Sequence, residues 1–199
     1  MILANGPPHA PAIIRPALPP LHLRTTHAGP PGYAGIKTVL SVHNAGYQGH
    51  FPTATVADIG LPWYTYDWQC LEWYDRVNYL KGGMSTADLV VTVSRHHAEE
   101  LRTPEGGFGL HDAFRTLGPR FTGIVHGIDQ TAWNPAADMQ ITAKYSARDL
   151  EGKERCKAAL QRAFRLPQRK RVPLLGFTGR LVKQKGLDIM LKAYGLLNA

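Results

Sequence analysis

Five short runs of apolar and β-branched residues are spaced along the chain, and each run has the length of a single β-strand. Within the runs, apolar residues follow one another instead of alternating with polar ones, which is typical of strands covered on both faces of a parallel sheet. We therefore expect buried parallel strands at these positions. The runs are 2–4 (ILA), 38–42 (TVLSV), 89–93 (LVVTV), 121–125 (FTGIV) and 173–177 (PLLGF).

Apolar residues recur with a helical period between several of these runs. The segment 151–165 carries one apolar stripe, and Asp149 precedes it as a candidate N-cap. A similar pattern predicts a helix over 187–194, and 69–83 is interpreted as a helix that two glycines end. Strands that alternate with helices predict an α/β fold with a doubly wound sheet. The stripe in 151–165 consists of Cys156, Ala159, Leu160, Ala163 and Phe164.

The segment 7–20 interrupts this alternation because it holds six of the fifteen prolines. A connection between parallel strands normally runs through a helix, and a proline inside a helix costs about 3 kcal/mol. We therefore expect 6–20 to be irregular, with helix only in fragments after Pro20.

Composition narrows the class of protein. The chain is 44% apolar, which is enough for a buried core, and no apolar run approaches the roughly 20 residues that span a bilayer. The first eleven residues lack the basic start and long apolar stretch of a secretory signal. Cys70 and Cys156 stand far apart, without the spacing of metal ligands. These features predict a globular protein with free thiols in a reducing compartment and without a membrane partner.

The positive charge is concentrated in one segment. The chain carries a net charge of +8, and 144–171 alone holds ten Lys or Arg against three acids. Such a segment is compatible with binding to nucleic acid or another polyanion, but it is more often the solvated face of a helix. The aromatic residues that stack on bases are not interleaved with these charges. We therefore expect no nucleic-acid partner.

A polar or glycine-bearing cluster follows each predicted strand. Ligands of open parallel sheets bind outside the carboxyl ends of the strands, so the clusters predict a site built from several loops. His43 and His126 belong to two of them. An imidazole there can hydrogen-bond a sugar hydroxyl or a carbonyl, or act in acid–base chemistry, although a lone histidine is more often structural.

The adjacent His96 and His97 could suggest a metal site, but neighbouring side chains at a helix start point in different directions and cannot share one ion. We therefore expect no metal site.

The stretch 179–188 (GRLVKQKGLD) is the strongest local signal of a ligand site. Arg180 leaves the predicted strand end, Lys185 closes the loop, and Gly186 leads into the next helix. Free N–H groups at a helix start attract anions, arginine adds a forked donor, and lysine adds a point charge. The loop lacks the spacing of a Walker A motif. A diphosphate would fit without a metal, and a solvated basic turn is the alternative interpretation.

Six stretches of the chain form a longer pattern. They read KTVLSVHNAGYQGHFP, LEWYDRVNYLKGGMSTADLVVTVS, TPEGGFGL, GIDQTAWNPAAD, YSARDLEGKERCKAALQ and GRLVKQKGLD. In this order they resemble bacterial glycogen synthases and plant starch synthases. The resemblance runs from about residue 33 to the C-terminus, and more weakly through 2–28.

The resemblance implies a GT-B fold, in which two Rossmann-like domains face each other across a cleft. It assigns 1–126 to the later part of the N-terminal starch synthase domain, and 127–199 to a linker and the start of the C-terminal glycosyltransferase domain. It implies retaining transfer of glucose from ADP-glucose to the non-reducing end of an α-1,4-glucan, without a cofactor or metal. Nucleic acid and membrane are not implied as partners. The implied compartment is the bacterial cytoplasm, or the plastid for a plant protein.

The resemblance also assigns roles to individual residues. His43 matches the histidine that contacts the donor glucose, and Arg180 and Lys185 match the basic pair on the donor diphosphate. His126 stands where the family usually has an asparagine that faces the donor sugar, and imidazole differs from that amide in reach and shape. Gly6 stands near the family's usual aspartate at the end of the first strand.

Other family features are expected to lie beyond both ends of this chain. The family's Lys-Gly-Gly loop would precede residue 1, and its catalytic-region glutamate would follow Ala199. Within the chain, Arg-His-His at 95–97 stands where the family usually has Pro-Thr-Tyr. The expectation is therefore an interior piece of a synthase that is inactive alone. The alternative is a non-catalytic module that binds a nucleotide diphosphate or a glucan.

Overall fold

The computed structural model describes residues 17–30, 32–33 and 35–197. The chain divides into two compact units, Met1–Gly127 and Ile128–Ala199, which we call unit 1 and unit 2. The predicted strand at 2–4 and the Gly6 position lie outside the described residues, as does most of the proline-rich segment.

The elements of the two units follow in chain order. Unit 1 forms α1 (Leu18–Arg24), β1 (Val39–Val42), β2 (His50–Phe51), α2 (Thr55–Asp58), a 3-10 helix (Trp63–Thr65), β3 (Glu72–Trp73), β4 (Arg76–Asn78), α3 (Tyr79–Thr86), β5 (Leu89–Thr92), α4 (Arg95–Glu100), α5 (His111–Thr116), a second 3-10 helix (Gly118–Arg120) and β6 (Phe121–Gly123). Unit 2 forms α6 (Glu151–Ala163), a 3-10 helix (Lys183–Lys185) and α7 (Leu187–Leu197). None of the helices in these described ranges has both the length and the apolar character that crossing a bilayer requires.

The main sheet of unit 1 is parallel, in the order β1-β5-β6. It confirms the second, third and fourth of the expected strands. β5 is the central one of the three described strands, with Leu89 opposite Val39 and Val90 opposite Phe121. Val90 of β5 is fully buried, as expected for a strand covered on both faces. β1 differs from this expectation because its residues alternate between exposed and buried, and Val39 is 63% exposed. The core around it includes Leu40, Val42, Leu80, Met84, Leu101, Leu110, Phe114 and Phe121.

The helix expected over 69–83 is wrong, because this stretch begins with a β-hairpin. β3 and β4 pair antiparallel with Trp73 opposite Arg76, so the loop between them is only two residues long. Tyr74 and Asp75 fill this loop with φ angles of 48° and 59°. Two successive left-handed residues are what a type I′ turn requires. β2 pairs with the other side of β4, which gives a small antiparallel sheet in the order β2-β4-β3.

α3 begins only after Asn78, whose side chain caps it by accepting a hydrogen bond from the backbone N–H of Lys81 at 3.0 Å. Gly82 and Gly83 lie inside this helix and do not end it, contrary to the expectation. Their role is close packing. A Cβ atom on Gly83 would lie 2.6 Å from the main-chain oxygen of Ala17, so α1 can approach α3 only because no side chain is present.

α1 starts earlier than the expectation of helix only after Pro20. It begins at Leu18 and contains Pro19 and Pro20 in its first turn. The N–H groups of a first turn have no partner within the helix, so the missing N–H of a proline costs little there. The helix is anchored by Leu21, which is fully buried in a second core cluster of unit 1.

α6 in unit 2 has nearly the predicted extent, but its cap and its surroundings differ from the expectation. Leu150 occupies the N-cap position without a side-chain hydrogen bond, and Asp149 accepts one from the N–H of Glu151 at 3.0 Å. The predicted apolar stripe is not buried, since Leu160 is 47% and Phe164 is 70% exposed. Within the described residues of unit 2 there is no sheet for this stripe to cover.

The fifth expected strand, at 173–177, is also wrong. The segment has no regular secondary structure and pairs with no strand in the described part of the chain. A strand is stable only with a neighbour that accepts and donates its backbone hydrogen bonds. The residues just before it are held by Lys157 of α6, whose Nζ donates to the main-chain oxygens of Lys170 at 2.8 Å and Val172 at 2.5 Å.

Candidate functional site

Two of the predicted site residues, His43 and His126, meet in unit 1. His43 directly follows β1, and His126 lies three residues beyond the end of β6. β1 and β6 flank β5, so both histidines stand at the carboxyl edge of the parallel sheet. Their ring centroids are 5.1 Å apart with an interplanar angle of 60°. The fold therefore brings together two imidazoles that are more than eighty residues apart in the sequence.

Hydrogen bonds hold the strand ends that carry these histidines. The buried hydroxyl of Thr92, at the end of β5, donates to the main-chain oxygen of Val42 at 2.8 Å. Ile124 continues the β6 ladder by donating its N–H to the oxygen of Thr92, also at 2.8 Å. After His43 the chain turns through Asn44, whose side-chain oxygen accepts from the N–H of Gly46 at 2.9 Å. These bonds fix the backbone at the end of β1 and as far as Ile124, two residues before His126.

The two imidazoles have ring nitrogens that remain available to a ligand. His43 and His126 are exposed, and within the described residues their side chains show no hydrogen bond to the protein. A neutral imidazole offers one donor and one acceptor, which can bind a hydroxyl-rich molecule. Edge-to-face contact between the rings restricts the orientation of both. The arrangement is suited to hydrogen bonding of a polyol at the sheet edge.

His96 and His97 on α4 turn towards acidic residues of their own helix. The Nδ1 of His97 lies 2.9 Å from a carboxylate oxygen of Glu100, and the Nε2 of His96 lies 3.4 Å from the other oxygen. The hydrogen bond with His97 lowers the pKa of Glu100 below its ordinary value. In the described ranges no group of three or more His, Cys, Asp and Glu side chains could hold a metal ion.

The basic loop of unit 2 carries Arg180 and Lys185, and both side chains are exposed. The N–H of Lys185 donates to the oxygen of Val182 at 3.0 Å and closes a single 3-10 turn. Gly186 follows with φ of 70°, a left-handed conformation that favours glycine. α7 begins at the next residue, so Lys185 stands beside the unpaired N–H groups of a helix start. The loop therefore presents cations and backbone donors together.

A buried amide pair next to the His43 loop was not foreseen from the sequence. The Nδ2 of Asn78 donates to the side-chain oxygen of Gln48 at 2.8 Å, and the Nε2 of Gln48 donates to the main-chain oxygen of Phe108 at 2.7 Å. The pair ties the loop after β1 to the segment that precedes α5. The only sequence signal of this contact is the run Gly-Gly-Phe-Gly at 106–109.

Comparisons with known proteins place this chain in a family. Residues 15–116 match the family of the starch synthase catalytic domain. The glycogen synthase of Anaeromyxobacter sp. (strain Fw109-5) is 45% identical over 182 residues, which cover 92% of this chain and 38% of that protein. Glycogen synthase 2 of Geobacter sulfurreducens is 44% identical over 176 residues, which cover 88% of this chain and 36% of that protein.

A solved structure agrees with these sequence matches. The catalytic domain of starch synthase IV from Arabidopsis thaliana, bound to ADP and acarbose, has a TM-score of 0.83 and 35% sequence identity. The match covers 93% of this chain and 38% of that one, so the chain spans well under half the length of the proteins it resembles. The likeness identifies a segment of a GT-B fold with Rossmann-like parallel strands. The chain therefore belongs to the starch synthase catalytic domain family.

Proposed function

We propose that this chain is a segment of a glycogen or starch synthase that transfers glucose from ADP-glucose to the non-reducing end of an α-1,4-glucan, with retention of configuration. The observation that carries the proposal is the likeness, at a TM-score of 0.83, to a starch synthase domain whose structure holds ADP and acarbose. The domain assignment belongs to the same proposal: 1–126 is the later part of the N-terminal domain, and 127–199 is a linker and the start of the C-terminal domain.

His43 is proposed to contact the donor glucose. Its exposed imidazole at the end of β1 can donate one hydrogen bond and accept another from sugar hydroxyls. His126 lies against it and replaces the family's usual asparagine at the same edge. Preorganised hydrogen-bonding groups supply much of the stabilisation of a charged transition state. The ring contact between the two histidines supports such preorganisation on the side of the glucose.

Arg180 and Lys185 are proposed to bind the donor diphosphate. Two cations offset two phosphate charges, so the chemistry requires no metal and no other cofactor. The start of α7, a helix of eleven residues, adds backbone donors and the positive end of its dipole. Lys183 lies between the two cations in the same turn, and we assign it no role in binding.

The proposed partners are ADP-glucose and an α-1,4-glucan, and the proposed compartment is the bacterial cytoplasm. Cys70 and Cys156 are free thiols, which supports a reducing environment. The basic segment 144–171 is not assigned a nucleic-acid partner. Part of its charge is used within unit 2, since the Nζ of Lys170 pairs with Glu154 at 2.8 Å.

Titration of ADP into the 199-residue chain by calorimetry tests the diphosphate site. Arg180→Ala removes a forked charge-assisted contact of about 1.5–3 kcal/mol, which corresponds to roughly ten- to hundredfold weaker binding. Lys185→Ala has a smaller effect because a solvated point charge is screened. Lys183→Ala is the matched control and leaves the affinity unchanged. Equal ADP affinity for the wild type and the Arg180→Ala, Lys185→Ala double variant would refute the proposal.

A further inference from the structure

The segment 106–109 of unit 1 is a tightly packed loop in which only Phe108 carries a side chain. A Cβ atom on Gly106 would lie 2.4 Å from the main-chain oxygen of Glu100, and one on Gly107 would lie 2.6 Å from the Cβ of His111. Neither position has room for a side chain. The glycines fix the path of the backbone, and the phenyl ring is what the loop displays.

The backbone of Phe108 is held in a conformation that a phenylalanine rarely adopts. Its φ of 53° lies in the left-handed region, which costs free energy for a residue with a bulky side chain. The main-chain oxygen of Phe108 accepts from the Nε2 of Gln48, which is itself bonded to Asn78. Gln48 is 5% exposed and Asn78 is fully buried, so the polar network that maintains the conformation is inside the fold. Strain maintained in this way is a feature of functional sites.

Phe108 is nevertheless 52% exposed to solvent, although phenylalanine is among the residues most often buried. One edge lies over the His43 loop, since a Cβ atom on Gly46 would be 3.4 Å from the Cε1 of Phe108. Gly46 is three residues after His43, so their Cα atoms are at most about 11 Å apart. The displayed ring therefore packs on the same loop that carries the proposed donor-glucose contact.

Aromatic surface continues beyond Phe108 in the direction of the β3–β4 hairpin. A Cβ atom on Gly109 would lie 3.3 Å from the ring of Trp73, and the ring centroids of Trp73 and Tyr74 are 5.0 Å apart. Tyr74 is 82% exposed at the tip of the hairpin. Rings in this order can contact successive units of a polymer.

We propose that Phe108 is a stacking surface for a glucose unit of the α-1,4-glucan acceptor, with Tyr74 as an outer contact. This inference rests on the proposed function and names the surface that holds its polymeric substrate. A pyranose ring has an apolar face of C–H groups, which packs on an aromatic ring, and a rim of hydroxyls, which stays in contact with solvent. Two cations lie beside Trp73, but both donate to main-chain oxygens: Arg76 to His50, and Lys81 to Trp68 and Glu72. Because these charges are already engaged, the surface favours a neutral ligand over an anion.

Titration of maltoheptaose into the 199-residue chain tests the proposal. Phe108→Ala removes most of the apolar contact with one sugar, and we expect about tenfold weaker binding. Phe108→Trp retains the affinity because it retains a flat aromatic face. Tyr64→Ala, which removes an aromatic side chain that is 70% exposed in the 3-10 helix Trp63–Thr65, is the matched control and leaves the affinity unchanged.

Phe108→Gly separates a role in binding from a role in folding. Glycine adopts a positive φ without strain, so this variant is expected to melt at the same or a higher temperature than the wild type, yet to lose affinity for maltoheptaose. Unchanged affinity in Phe108→Gly would overturn the inference, as would a wild-type chain that does not bind maltoheptaose. A wild-type chain that binds maltoheptaose but does not bind ADP would instead count against the diphosphate site of unit 2. A Phe108 that serves a protein partner would leave maltoheptaose binding insensitive to every Phe108 variant.

Discussion

The carboxylate of Asp88 accepts two hydrogen bonds from Thr38, one from its backbone N–H at 2.8 Å and one from its hydroxyl at 3.0 Å. Thr38 precedes β1 and Asp88 precedes β5, so the contact fixes the starts of two neighbouring parallel strands. Arg24 and Lys37 pair with the same carboxylate at 2.7 and 3.3 Å. The backbone hydrogen bond from Thr38 is the largest cause that holds the pKa of Asp88 well below its ordinary value.

The first prediction concerns the stability of unit 1 in acid. Because the pKa of Asp88 is lower in the folded than in the unfolded protein, its carboxylate stabilises the fold at pH values above about 3.9, and this contribution is lost as the pH falls towards the folded pKa. Asp88→Asn removes the charge, lowers the free energy of unfolding at neutral pH by about 2 kcal/mol, and flattens its dependence on pH below about 4. Urea unfolding at several pH values measures both effects.

The control for Asp88 is Asp112→Asn. Asp112 also pairs with an arginine, Arg115 at 3.1 Å, but its side chain is 79% exposed, so we expect almost no change in stability. Indistinguishable pH profiles for wild type and Asp88→Asn would show that the Thr38 contact does not hold the strands.

The second prediction compares two helical glycines. Gly83→Ala places a methyl group within 2.6 Å of the oxygen of Ala17 and is expected to destabilise unit 1 by about 1–3 kcal/mol. Gly195→Ala in α7 places its methyl group in open space and is expected to stabilise that helix by about 0.5–1 kcal/mol. Thermal melts monitored by circular dichroism give the sign of each change. Equal effects of the two substitutions would contradict the close packing of α1 on α3.

The third prediction concerns Tyr79, a fully buried residue at the start of α3. Its hydroxyl has no hydrogen-bond partner among the described residues, and burial raises its pKa to about 12. An unpaired buried hydroxyl is unfavourable, so Tyr79→Phe is expected to raise the free energy of unfolding by about 1 kcal/mol. Tyr64→Phe, at an exposed position, is the neutral control. A loss of stability in Tyr79→Phe would indicate a partner for the hydroxyl.

The fourth prediction separates the two ends of the proposed donor. If the imidazole of His43 contacts glucose, His43→Ala weakens binding of ADP-glucose about fivefold, from the loss of one or two hydrogen bonds, and leaves binding of ADP unchanged. His126→Asn restores the family's usual residue and is expected to retain the affinity for ADP-glucose. Calorimetric titration with both ligands measures the difference. An equal loss of affinity for ADP and ADP-glucose in His43→Ala would show that His43 maintains the conformation of its loop and does not contact glucose.

The parallel sheet of unit 1 could be predicted because short runs of apolar and β-branched residues mark its strands in the sequence, although Val39 and Ser41 of β1 are exposed. The hairpin at Glu72–Asn78 could not, because the left-handed turn residues are Tyr74 and Asp75 instead of the glycine that usually marks such a turn. The sequence pattern predicts that Gly82 and Gly83 end a helix, whereas in the structure both lie inside α3, where Gly82 packs against Leu71 and Gly83 against Ala17.

The site was predictable only in part for a similar reason. His43 and His126 could each be located after a predicted strand, but their contact depends on the strand order β1-β5-β6. The Asn78–Gln48–Phe108 network depends on side chains from three separate segments, and no local pattern specifies it. The strand expected at 173–177 had an apolar sequence, yet pairing also requires a neighbouring strand.

The pairing of β1 with β5 has a consequence for the order in which unit 1 assembles. The Thr38–Asp88 contact joins residues fifty positions apart, and the β3–β4 hairpin lies wholly within that interval. A hairpin forms in about 1–10 μs, whereas the parallel pairing of β1 with β5 is slower because the entropy cost of closing a long loop precedes the favourable contacts. We expect the hairpin and α3 to form first and to shorten the effective loop. During synthesis, the ladder between β1 and β5 can therefore form only after β5 has emerged from the ribosome.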